Sequence, residues 1–141
     1  MQTLNSLKAE TAIFFNKHWG FATTAPEWQT WDNFLMGSVP NYDKGGCYAL
    51  FEGETLVYIG KGISRGDGSY IEHGISRRMM YHVYCSDKPK GKDQLKLRET
   101  WVNRNITSCT TIGFDADQTY LAVALEVFLI RKLLPKYNPQ V

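Results

Sequence analysis

Residues 46–61 read Gly-Cys-Tyr-Ala-Leu-Phe-Glu-Gly-Glu-Thr-Leu-Val-Tyr-Ile-Gly-Lys. Cys47–Phe51 and Thr55–Ile59 are short and rich in β-formers, and Glu52-Gly53-Glu54 separates them, which predicts a β-hairpin. Tyr48 and Tyr58 are ten positions apart, so a short hairpin holds the two phenols side by side at one sheet edge.

The rest of the chain is read outward from that hairpin. Upstream, residues 3–18 have a helical pattern, with Leu4, Leu7 and Phe14 near one side. Pro26 opens a second predicted helix, in which Trp28, Trp31, Phe34 and Leu35 form an apolar stripe ended by Gly37. Residues 37–46 are a loop. Residues 1–44 are therefore expected to be an N-terminal helical extension packed on the same domain, and residues 45–141 the part that carries the chemistry. Downstream, Gly60–Gly74 is a loop, Ile75–Tyr84 a helix, and Ser86–Lys92 a basic loop broken by Pro89. Residues 93–105 form a further predicted helix with Leu97 and Trp101 on one face. Ile106–Phe114, dense in Thr and Ile, is the third strand. Asp115 or Asp117 caps a last helix that ends before Pro135. That order gives an α+β domain.

With 141 residues, 43% of them hydrophobic and 21% charged, the chain is one ordinary globular domain, large enough for a core without staples. A net charge of +2 is compatible with a phosphate-binding partner and decides little alone. Cys47, Cys85 and Cys109 are odd in number and widely spaced, which argues against a zinc knuckle or a secreted disulfide framework. Cys85 and Cys109 read as buried thiols. No run reaches the roughly 18 apolar residues of a membrane helix, so the expected setting is cytoplasmic and reduced, with no membrane partner.

Several side chains remain to be explained. Arg78 and His82 are four apart and share a helix face. Glu126 is the only charged residue between Gln118 and Ile130. A buried carboxylate is costly unless paired or bound to metal. Glu126 is thus either a ligand for a hard cation such as Mg²⁺ or the one wet stripe of its helix. Pro135-Lys136-Tyr137-Asn138 closes that helix. Trp28 and Trp31 are core residues or base-stacking platforms. The segment holding Lys88, Lys90, Lys92, Lys96, Arg98 and Arg104 is a DNA-backbone surface or a solvated charged face, since Asp87, Asp93 and Glu99 interleave with it.

Gly46-x-Tyr48, Tyr58-x-Gly60, the following Arg78, the late Glu126 and the terminal Asn138 together resemble the GIY-YIG nuclease family, over about residues 46–138. The Arg78–His82 pairing is closest to a variant in the family's restriction enzymes, and the small size is similar to its phage-encoded members. Cys47 stands where the family has an apolar residue, and the loop before Arg78 is longer than in compact members. The resemblance implies a small antiparallel three-stranded sheet flanked by helices, and a metal-dependent endonuclease that hydrolyses double-stranded DNA to 5′-phosphate and 3′-hydroxyl ends. It implies Mg²⁺, with Mn²⁺ as substitute, on Glu126. Tyr48 would activate water as a phenolate favoured by Lys61, Arg78 and the metal, with His82 accepting or relaying the proton. Tyr58 would orient water or phosphate, Arg78 bind the scissile phosphate, Asn138 fix the site, and Lys61 contact phosphate or tune a tyrosine. Arg78 is preferred to Arg77 because only Arg78 sets His82 one turn later. Cutting both strands of a palindrome would call for a homodimer. The rivals are a nucleic-acid-binding protein that does not cleave, and an interaction module anchored on exposed Trp28 and Trp31.

Overall fold

The computed structural model describes residues 1–63, 73–87, 89 and 94–139. Its elements in chain order are α1 (Leu4–His18), β1 (Gln29–Thr30), β2 (Gly45–Glu52), β3 (Thr55–Gly62), α2 (Gly74–His82), β4 (Tyr84–Ser86), β5 (Leu95–Leu97), α3 (Glu99–Val102), β6 (Ser108–Phe114) and α4 (Tyr120–Leu133). The α+β reading holds. The sheet, however, has four antiparallel strands in the order β1-β6-β2-β3 instead of the expected three. The β2–β3 hairpin forms one end of it, closed at Gly53 with a φ of 59° that suits glycine. In its register Tyr48 faces Gly60 and Leu50 faces Tyr58, so the two tyrosines are diagonal neighbours.

The extra strand replaces the second predicted helix. Trp28 and Trp31 are both buried, but in the two different cores, one on each side of the sheet. An odd spacing along an extended chain sends side chains to opposite faces, and here it imitated a helical stripe. The first 44 residues therefore supply one helix and one edge strand. Residues 94–105 differ in the same way. Leu95–Leu97 pairs with β4, and Trp101 sits on the single helical turn α3. Before α4 a short 3-10 turn spans Ala116–Gln118, and neither Asp115 nor the following Thr119 makes a side-chain cap. Cys109 is buried as expected, while Cys85 is only half-buried.

Two layers cover the sheet. Leu7, Phe14, Leu125 and Leu129 bring α1 and α4 onto the face that carries Cys47, Ala49, Ile112 and Phe114. Ile75, Met79, Val83 and Trp101 cover Tyr48, Leu50 and Val57 on the other. The exposed edge of β3 is closed by the chain end. Tyr137 N–H donates to Val57 O at 2.9 Å, and the Asn138 amide accepts from Ile59 N–H and donates to Ile59 O, both at 2.8 Å. Those bonds satisfy strand groups that would otherwise template another chain. Among the described residues, no helix is long and apolar enough to cross a membrane.

Candidate active site

β3 runs between α2 and α4, and a cleft of about 810 Å³ straddles its end. Tyr48, Tyr58, Lys61, Arg78 and Glu126 all line it. Strand parity and helix pitch explain the meeting. Tyr48 and Tyr58 point to the α2 side of the hairpin and stand 6.1 Å apart, centroid to centroid. Gly62 has no Cβ to strike the Arg78 Cβ, so α2 lies directly against β3 and Arg78 enters the cleft.

Tyr48 is fully buried, with the hydroxyl end of its ring packed against Gly60. Its hydroxyl lies 2.7 Å from His82 Nδ1. Trp101 Nε1 donates to His82 O at 2.8 Å, which fixes the end of α2 behind that pair. Arg78 charge acts on Tyr48, Tyr58 and His82 alike.

Burial acts against the expected electrostatics of the tyrosines. Desolvation pushes the Tyr48 phenol well above its ordinary pKa, and the neighbouring Tyr58 adds to it; Arg78 pulls the other way and loses. Tyr58 is raised for the same first reason. A resident phenolate at Tyr48 is thus disfavoured. His82 moves oppositely: desolvation, then Arg78 and Arg104, lower its pKa and keep the imidazole neutral.

On the opposite wall, Lys61 Nζ is 3.4 Å from Glu126 Oε1, and the carboxylate-bearing side chain is only 15% exposed. The wet stripe of α4 runs instead along Tyr120, Val123, Ala124 and Val127. Among the described residues, no three His, Cys, Asp or Glu side chains gather into a metal cage.

Asn138 lies outside the cleft and acts on β3 from behind, through Ile59. Lys96 and Arg98 do not line the cleft, and the Arg98 guanidinium donates to Met80 O. Lys88, Lys90 and Lys92 lie outside the described residues. Arg104 stacks on Trp101 and Tyr137 at 4.9 and 4.4 Å. Arg77, set aside in favour of Arg78 on the sequence, lines the cleft as well, and so do Tyr81 and Tyr120, which the sequence reading did not name. Tyr120 was accessible to it, since it precedes Glu126 by i, i+3, i+6 steps through Val123 on the same helix.

No family model, curated protein or solved structure matches this chain. A neutral imidazole hydrogen-bonded to a neutral phenol can pass a proton; three cationic side chains, Lys61, Arg77 and Arg78, can receive an anion. With both indoles buried, Trp28 and Trp31 offer no exposed anchor.

Proposed function

We propose that this protein is a Mg²⁺-dependent endonuclease of the GIY-YIG type that hydrolyses DNA phosphodiester bonds. One observation carries the reading. Side chains from four separate segments, Tyr48, Tyr58 with Lys61, Arg78, and Glu126, converge in a single cleft, with His82 bonded behind Tyr48. The three long strands β6-β2-β3, with Gly46-x-Tyr48 and Tyr58-x-Gly60 adjacent, support the same family.

The donor set fits a hard, largely hydrated ion. Among the described residues the cleft is lined by one carboxylate and no cysteine, and it is open; that suits Mg²⁺, which keeps several waters and takes one or two carboxylates. Glu126 would hold it, exchanging its Lys61 contact for the ion. The chemistry that Mg²⁺ supplies there is withdrawal of charge from the phosphate and the leaving 3′ oxygen. Arg78 binds the scissile phosphate and stabilises the charge that develops on it. Tyr48 takes a proton from the attacking water as its own passes to His82 Nδ1, so no free phenolate is needed. The new P–O bond forms in line as the P–O3′ bond breaks, and the leaving oxygen collects a proton from solvent.

The deciding experiment is incubation of the purified protein with supercoiled and linear DNA, with Mg²⁺ or with EDTA, followed by mapping of the ends. Cleavage that needs Mg²⁺ and leaves 5′-phosphates is expected. Tight binding without any cleavage would give the site to a non-cleaving nucleic-acid-binding protein instead.

A further inference from the structure

The sequence of α4, Tyr-Leu-Ala-Val-Ala-Leu-Glu-Val-Phe-Leu-Ile-Arg-Lys-Leu, is apolar nearly all round. A helix of that kind is ordinarily covered on every side. Here Leu121, Ala122, Leu125 and Leu129 are buried against the sheet and α1. Tyr120, Val123 and Val127 are instead 60%, 41% and 37% exposed, and Ala124 is exposed between them. The i, i+3, i+4, i+7 spacing makes these four one stripe.

Opposite charges bracket the stripe. Asp117 is exposed just before the helix, and Arg131 and Lys132 are exposed in its last turn. Asp117 and Arg131 lie seven residues before and after Ala124. An antiparallel crossing of two copies of α4 about Ala124 therefore sets Asp117 of each copy against Arg131 of the other, twice over. The small alanine at the crossing point lets the helices approach closely, and Tyr120 reaches the open groove beside Phe14 and Phe128.

We infer that the exposed face of α4 is a two-fold interface with a second copy of this chain. The contact is isologous: one patch, complementary to itself in shape and in charge, closes on its copy. Tyr120 and Val123 also line the cleft, so the pairing sets two clefts side by side. An acid before a helix and bases at its end also suit the dipole of a lone helix. The two explanations part when the charges are exchanged.

The test is the mass in solution, by sedimentation or light scattering across a micromolar dilution series. The wild type is expected at twice the chain mass of 16.1 kDa. Val127→Asp and Ala124→Arg should give folded monomers, with circular dichroism unchanged. Asp117→Lys or Arg131→Glu alone should weaken association by about tenfold or more, and the two together should recover most of it. Recovery is peculiar to the two-fold pairing, because the exchange opposes the helix dipole. A monomeric wild type at every concentration overturns the inference and leaves the face to some other partner. A dimer that persists in Val127→Asp, or double-reversal chains that stay apart, overturns it too. None of these readouts requires DNA cleavage.

Discussion

The phenol oxygen of Tyr48 stands 2.7 Å from Nδ1 of His82, and burial drives the two groups in opposite senses, the phenol up and the imidazole down. The resting pair is thus neutral, and the phenol donates to Nδ1 in the tautomer that carries the imidazole proton on Nε2. In the proposed relay, the group that must be deprotonated at neutral pH is the histidine. The rate should rise with pH through a value below the ordinary imidazole pKa of about 6.5. His82→Ala should flatten that limb. Tyr48→Phe should cost roughly 10² or more in rate, because the relay loses its first acceptor. A limb on the alkaline side of neutrality that survives His82→Ala would instead make a phenolate the base.

The same shift has a consequence for folding. Because the folded pKa of His82 is lowered, the unfolded chain binds that proton more tightly than the folded one. This contribution to stability is complete above the unfolded value of about 6.5 and is lost as pH falls from there towards the folded value. The Tm should begin to drop just below that pH. In His82→Gln the drop in this window should be smaller, and carboxylates should dominate only at lower pH. Identical melting curves for the two proteins would refute the linkage.

Arg77 and Arg78 both line the cleft, and the charge of Arg78 acts on Tyr48, Tyr58 and His82. Arg78→Ala should lower kcat/KM by roughly 10² or more, the scale of one lost charge-stabilising donor. Arg77→Ala should mainly weaken DNA binding and make it less salt-dependent. Reversed effects would shift the phosphate contact by one residue.

The hairpin was legible because both of its signals, β-formers and a Glu-Gly-Glu turn, are local. So was the spacing of Arg78 and His82, since helix pitch alone puts them on one face. Trp28 and Trp31 misled because i, i+3 fits a helix as well as a strand whose residues serve two cores. The tyrosine chemistry was illegible for a different reason. Neighbouring charges can be guessed from sequence, but the desolvation that outweighs them depends on Tyr48 being fully buried beneath Gly60. Asn138 could be named, but not the backbone it holds, because Ile59 lies 79 residues away.

Among the described residues, Glu126 is the carboxylate of the cleft, 3.4 Å from Lys61. Glu126→Gln keeps the size and removes the charge. Mg²⁺-dependent cleavage should fall by about 10² or more, while DNA binding in EDTA is retained or slightly strengthened, because Lys61 loses its acidic neighbour. The comparison is a Mg²⁺ titration of the rate beside a binding isotherm without metal. Cleavage near the wild-type rate would remove Glu126 from the metal assignment.

Gly60 tests the architecture under all of this. A Cβ added there would meet the Tyr48 ring, 2.5 Å from its hydroxyl oxygen and 2.7 Å from Cε1. The ring is fully buried and tied to His82, so it has nowhere to rotate without breaking that bond. Gly60→Ala should therefore destabilise the protein by about 1–3 kcal/mol, the usual cost of overpacking. It should also displace the Tyr48 hydroxyl and reduce activity about as far as Tyr48→Phe does. The cause can be isolated with a double-mutant cycle in denaturant. In a Tyr48→Ala background the added methyl meets empty space, so Gly60→Ala should cost much less there than in the wild type. Equal costs in the two backgrounds would mean that the glycine serves the β3 backbone and not the tyrosine. A smaller cost beside Tyr48→Ala ties the two halves of the motif together: the glycine that ends Tyr58-Ile59-Gly60 is there to seat the tyrosine of Gly46-Cys47-Tyr48.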